Sequence, residues 1–167
     1  MNNDPAGATP ALDGSNLLAG RYRLQEKVGE GGAAEVFKAR DIRLDRTVAI
    51  KLLRRQYTYD NSSRQRFVVE AKAAAQLQHP NIVDIYDFGE GEDGTMYLAM
   101  RFIDGKDLKS LLQKRGRLTP AEAINLALQA CQALAAAHAQ GLIHRDVKPQ
   151  NMMVDARGVA RVAAASR

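Results

Sequence analysis

A chain of 167 residues with 46% hydrophobic and 26% charged residues is long enough for one domain or two small lobes with a real core, and has the composition of a soluble globular protein. Its single cysteine, Cys131, excludes an internal disulfide and suits a reducing compartment, and its apolar helical setting predicts a buried small side chain over a reactive thiol. The net charge of +5 is scattered in runs no longer than pairs such as Arg54-Arg55, with few aromatics, which argues against a nucleic-acid groove and for a solvated surface with a phosphate-ligand site.

Residues 1 to about 20, rich in Ala, Gly, Pro, Asn and Asp without periodicity, read as a disordered leader. They lack the basic and apolar regions of a signal peptide. Arg21 to Val28 alternates like a strand, Gly29-Glu30-Gly31-Gly32 forms a turn, and Glu35 to Arg40 resumes a strand. Thr47 to Leu53 is a third strand, rich in β-branched and apolar residues. Asn61 to Leu77 reads as a helix with Phe67, Ala71, Ala74 and Leu77 on one stripe, and His79-Pro80 bars its continuation. Strands follow over Ile82–Phe88 and Thr95–Ile103, joined by the glycine-rich Gly89–Gly94 turn.

After Asp104-Gly105 the texture turns helical. Leu108, Leu111 and Leu112 mark a short helix ending near Gly116. Thr119-Pro120-Ala121-Glu122 is a capping box with proline at the first helical position. The helix it opens carries Ile124, Leu128, Cys131, Leu134 and His138 at helical spacing, and Gly141 ends it. Asn125, Gln129, Gln132, His138 and Gln140 interrupt this low-charge stretch, so it is not a membrane span, and a cytoplasmic location is expected.

Three segments carry chemistry. Val28-Gly29-Glu30-Gly31-Gly32-Ala33-Ala34-Glu35-Val36 lies between two predicted strands, where glycines let backbone N–H groups approach phosphate oxygens; taken alone it could equally be an ordinary hairpin. Val48-Ala49-Ile50-Lys51 places a lysine in a buried strand, which is costly without a partner. Glu70, nineteen residues on, is a natural partner; a strand-end lysine with a solvated glutamate is the plainer alternative. His144-Arg145-Asp146-Val147-Lys148-Pro149-Gln150-Asn151 sets an acid and an amide five residues apart with a lysine between.

That last segment resembles the H-R-D-x-K-P-x-N loop of the bacterial, eukaryotic-like (Hanks-type) serine/threonine protein kinases, in register with the two earlier motifs and with Met96-Tyr97-Leu98-Ala99-Met100-Arg101-Phe102-Ile103-Asp104-Gly105, which resembles the family's fifth strand and hinge. The resemblance covers residues 22 to about 163. It implies an α+β, protein-kinase-like fold: a five-stranded antiparallel N-lobe with one helix and the hinge over residues 21–103, then an incomplete helical C-lobe over 104–167. It implies ATP and Mg2+ as cofactors and protein Ser/Thr hydroxyls as substrate, with no nucleic acid and no membrane segment in this chain. By resemblance Asp146 is the base, Lys148 neutralises charge on the transferring phosphoryl, and Asn151 holds one magnesium. Lys51 grips the α- and β-phosphates and Glu70 holds Lys51 in position. Val28, Gly29, Gly31, Gly32, Val36 and Ala49 join the nucleotide site. Met100 is the gatekeeper, the Arg101 and Ile103 backbones meet the adenine, and Asp107 reaches the ribose. His144 is expected to pack rather than catalyse.

Two departures stand out. Ala34 replaces the third glycine of the loop. The Asp-Phe-Gly expected at position 164, after a hairpin around Arg157-Gly158, reads Ala164-Ala165-Ser166 instead. The expectation is therefore a domain truncated before that motif, binding ATP weakly and turning over slowly or not at all. A nucleotide-binding pseudokinase or a non-functional gene fragment are its rivals.

Overall fold

A computed structural model describes residues 17–163. Five strands, β1 (Tyr22–Glu30), β2 (Ala34–Asp41), β3 (Arg46–Leu53), β4 (Ile85–Glu90) and β5 (Met96–Arg101), form an antiparallel sheet in the order β1-β2-β3-β5-β4. The central strand β3 is buried along Val48 to Leu53, as its β-branched and apolar run requires. On one face Tyr22, Phe37, Val48, Ile50, Leu52 and Tyr97 make the main core of this lobe. On the other, Leu53, Met96 and Leu98 meet Phe67 and Ala71 of the helix α2 (Asn61–Ala75). Asp60 caps α2, accepting from the Ser62 and Ser63 N–H groups.

Several expectations need correcting. The lobe carries two helices, because a single turn, α1 (Arg55–Thr58), precedes α2. Residues 18–20 do not belong to a disordered leader: Leu18 bridges to Tyr22, and Leu18 and Ala19 pack on the core. The rest of the expected leader, 1–16, lies outside the described residues, as do 164–167. Strand β4 starts at Ile85 and not at Ile82, because Ile82 pairs in parallel with Val162 of the second lobe.

That second lobe contains α3 (Leu108–Arg115), α4 (Pro120–Ala139) and a small sheet of β6 (Gly105–Asp107), β7 (Met152–Asp155) and β8 (Ala160–Val162). β6 pairs with β7 so closely that a Cβ on Gly105 would lie 2.2 Å from the Val154 carbonyl oxygen, which is why glycine stands there. The capping box opens α4 as expected: Thr119 accepts from the Glu122 N–H, and Glu122 accepts from the Thr119 N–H.

The buried face of α4 is Leu126, Ala130, Ala133 and Ala137, packed on Ile82, Met152, Ala160 and Val162. The predicted stripe lies elsewhere: Ile124 and Leu128 are exposed, and so is Cys131, against its expected burial. Apart from Leu126, the buried face is built of alanines, while Ile124 and Leu128 face outward. Gln129 clamps the contact. Its Oε1 accepts from Asn81 Nδ2 (2.9 Å) and from the Ala160 N–H (2.8 Å), and its Nε2 donates to the Gly158 carbonyl (3.1 Å). Among the described residues no helix is long and apolar enough to cross a membrane.

Candidate active site

The two lobes meet through main-chain bonds. Val83 N–H donates to the Val162 carbonyl (3.0 Å), and Val162 N–H to the Asn81 carbonyl (2.8 Å). These bonds fix the β7–β8 hairpin beneath the five-stranded sheet, and with it the loop 144–151 that precedes β7.

The loop is tightly internally bonded. Asn151 Nδ2 donates to the Asp146 carbonyl oxygen (2.8 Å) and to its carboxylate (3.0 Å). Lys148 Nζ lies 2.8 Å from the same carboxylate oxygen. The hydrogen bond from Lys148, and then that from Asn151, holds the Asp146 carboxyl below the usual carboxylate range against a desolvation that opposes it. Asp146 is therefore an ionised acceptor.

His144 supports this geometry through hydrogen bonds at both ring nitrogens. Its Nδ1 accepts from the Asp146 N–H (3.3 Å), which assigns the proton to Nε2, and Nε2–H then donates to the Ala163 carbonyl (2.8 Å). Ala163 N–H donates in turn to the Asn151 carbonyl (2.9 Å), so both ends of the loop grip the residue that follows β8. Arg145 between them has φ +61, a left-handed backbone that costs a non-glycine residue about 1 kcal/mol. No sequence signal announced it.

Across the cleft, Lys51 is 4% exposed on β3. Burial lowers its pKa to about 8, while the charges of Glu70 on α2 and of Asp146 pull it upward. The structure thus brings Lys51, Glu70 and Asp146 within electrostatic reach of one another, from three separate segments. A pocket between the β1–β2 turn and α2 is lined by Ala33, Ala34, Lys51, Ser63, Phe67 and Glu70.

Gly29, Gly31 and Gly32 have no positive φ. A Cβ on Gly29 would meet Val36 at an ordinary 3.5 Å, and one on Gly32 would meet nothing within 4 Å. The fold itself does not require glycine at these positions, and the turn they form is left open. Val28 beside them is about half exposed.

Below the turn, Ala49, Val83, Met100 and Ile103 form a buried cluster with Val36, Phe102, Met153 and Ala163 against it. Expected residues Val36, Ala49, Met100 and Ile103 come together here. Met153 was missed by sequence reasoning; its place two residues after Asn151, on a strand reaching back under the sheet, was the available signal. Arg101 N–H is already spent on the Asp84 carbonyl (2.9 Å), and its side chain donates to Asp84 Oδ2 (2.7 Å). Asp107 caps α3, its two carboxylate oxygens accepting from the Ser110 N–H (2.9 Å) and hydroxyl. That cap competes with the expected ribose contact.

Comparison with known proteins agrees with this geometry. Residues 22–163 match the protein kinase domain family. The chain is 46% identical over 145 residues to the serine/threonine-protein kinase PrkC of Bacillus subtilis, covering 87% of this chain and 22% of PrkC. It is 42% identical over 149 residues to the serine/threonine-protein kinase PknA of Mycobacterium tuberculosis, covering 87% of this chain and 35% of PknA. The crystal structure of the Mycobacterium tuberculosis PknI kinase domain superposes with a TM-score of 0.80 at 30% identity, covering 92% of this chain and 61% of that one. The chain thus spans only a minor part of the curated relatives it matches. It belongs to the protein kinase domain family, among relatives that are serine/threonine-protein kinases.

Proposed function

We propose that this chain binds Mg·ATP between its two lobes and carries the residues for phosphoryl transfer to protein Ser/Thr hydroxyls. The observation that carries the reading is the convergence of Lys51, Glu70 and Asp146 beside a glycine turn whose glycines the fold does not itself need. A glycine turn next to a pocket that holds a buried ammonium suits a polyphosphate, although the Gly31 N–H itself donates to the Ala34 carbonyl (2.8 Å) within the turn. The apolar cluster of Val36, Ala49, Met100 and Met153 suits a flat purine, with the Ile103 backbone and the Arg101 carbonyl as its polar contacts.

The residues present also fit a magnesium ion in a limited way. Among the described residues no group of three His, Cys, Asp or Glu could hold a metal. Magnesium bound with nucleotide needs only one or two protein oxygens beside the phosphates. Both of Asn151's described side-chain bonds use its Nδ2, so its Oδ1 is the natural ligand. When bound, the ion supplies charge neutralisation at the β- and γ-phosphates.

The protein's own part is positional. Lys51, held by Glu70, orients the α- and β-phosphates. Asp146 accepts the proton of the incoming hydroxyl as its oxygen bonds to the γ-phosphorus and the bond to the β–γ bridging oxygen breaks. Lys148, already beside Asp146, meets the charge on the transferred group. We take residues 21–103 as the nucleotide-binding lobe with its hinge and 104–163 as the catalytic-loop lobe.

Ala164 stands where the family's second metal-binding aspartate is expected. Loss of a preorganised electrostatic group typically costs about 10²- to 10³-fold in rate, so nucleotide binding should far outlast turnover. Transfer of labelled phosphate from ATP to a Ser/Thr peptide, with Asp146→Ala as control, tests this. Slow transfer abolished in the variant, or binding without transfer, fits the reading. Transfer that Asp146→Ala leaves untouched contradicts it.

A further inference from the structure

The glycine turn carries a feature that the nucleotide chemistry above does not use: a chain of ion pairs across the back of the hairpin. Glu30, between Gly29 and Gly31, accepts from Arg54 Nη2 and from Lys27 Nζ (3.0 Å). Lys27 also reaches Glu35 (3.2 Å). Arg54 follows β3, so its contact with Glu30 crosses the Ala34 end of β2 and joins the first and third strands of the sheet. Its backbone takes part as well, since Arg54 N–H donates to the Ala33 carbonyl within the turn (2.9 Å). The Arg54 Nε is buried and has no hydrogen-bond partner among the described residues, so the guanidinium gives up one donor to hold this position.

The side of the sheet matters. Val36 packs toward the cleft with Ala49 and Met100, whereas Phe37 belongs to the opposite core. Glu35 alternates with Val36 along β2 and pairs across the strands with Glu30. Glu30, Glu35 and Arg54 therefore lie on the face away from the cleft, where they restrain the turn without occupying the phosphate site. The pairing holds Glu30 ionised, its carboxyl kept below the usual range by Lys27 and then by Arg54.

We propose that Arg54 and Glu30 are positioning residues: their ion pair straps the β1–β2 turn to the end of β3 and pre-orders its N–H groups for a polyphosphate. The proposal rests on the nucleotide-binding reading above. A mobile turn would have to be ordered when phosphate binds, and the strap removes that cost beforehand. Partly exposed pairs are individually weak, so the effect is modest and sensitive to salt.

The test is calorimetric titration of the chain with ATP, ADP and adenosine, for wild type, Arg54→Ala, Glu30→Gln, the double variant and the charge swap Glu30→Arg with Arg54→Glu. Each single variant should weaken ATP and ADP by about 2- to 5-fold and leave adenosine within error. The double variant should be no worse than either single one, and the swap should recover most of the loss. Equal losses for adenosine and ATP, additive losses in the double variant, or a swap without recovery each overturn the strap. A wild type that binds none of the three ligands overturns the nucleotide reading itself.

Discussion

Asn151 donates its side-chain amide twice to Asp146, to the carbonyl at 2.8 Å and to the carboxylate at 3.0 Å. The two residues expected to serve as metal ligand and base thus form one rigid unit, and their roles are coupled. Asn151→Ala should both remove a metal oxygen and release the Asp146 side chain. Asn151→Asp, which keeps the oxygen, places a second anion about 3 Å from the first and should raise the Asp146 pKa toward or above its ordinary value. Measured transfer in Asn151→Asp should therefore recover on raising pH, and in Asn151→Ala it should not. A flat profile in both variants would separate the two residues.

Lys51 is held at a cost to stability. Its folded pKa of about 8 lies below its ordinary 10.5 because burial outweighs the attraction of Glu70 and Asp146. The folded state then binds fewer protons than the unfolded chain between those two values, so stability rises with pH across that window and the penalty is full below about pH 8. Lys51→Met should stabilise the chain at pH 7 by on the order of 1–3 kcal/mol. The gap between variant and wild type in urea melts should close as pH rises from 8 to 10.5. A variant less stable than wild type at pH 7 would show that the pairing outweighs the burial.

The far end of the sheet depends on Asp41, which is fully buried and accepts from Arg21 Nε (2.9 Å) and Nη2 (2.7 Å). Arg21 also reaches Asp87, which accepts from the buried Tyr22 hydroxyl at 2.9 Å, and Arg46 stacks on Tyr86 beside them. Asp41 joins β1, β2 and the β2–β3 turn, where it also accepts from the Arg43 and Leu44 N–H groups. Asp41→Ala should cost about 1–3 kcal/mol, because it leaves Arg21 with Asp87 alone and takes the acceptor from the Arg43 and Leu44 N–H groups. The Asp41 pKa is lowered to about 2, chiefly by the Arg21 bond. Its contribution is therefore present above about pH 4 and lost as pH falls toward 2, a loss that acid melts of wild type and Asp41→Asn would resolve.

Ile124 and Leu128 on α4 are 61% and 57% exposed, whereas Ala133 on its other side is 1% exposed. Ile124→Asp or Leu128→Asp should change stability in urea melts by no more than about 0.5 kcal/mol. Ala133→Asp should disrupt the packing on Val162 and unfold the second lobe. A large destabilisation by Ile124→Asp would mean that this face is covered.

The local signals in the sequence were legible where one residue type has one physical use. The Thr119–Glu122 capping box, the buried β3 run and the 144–151 spacing all appear where they were read. The buried side of α4 was not legible, because alanine carries little hydrophobic weight and bulk drew attention to Ile124 and Leu128. β6 and the Ile82–Val162 bridge were missed for a different reason. They are pairings between segments about 50 and 80 residues apart, and short strands have no periodicity to reveal them. At the site, Val36, Ala49, Met100 and Ile103 come together as the sequence suggested, whereas the Arg145 backbone and the His144–Ala163 clamp emerge only from tertiary contacts.

The most direct test of the central claim is the affinity of the chain for Mg·ATP, measured by titration for wild type and Lys51→Met at pH 7. Saturable, magnesium-dependent binding at one site, weakened at least about 10-fold in the variant, is the result this account predicts. No saturable binding by a folded wild type, or equal affinity in both proteins, would contradict it.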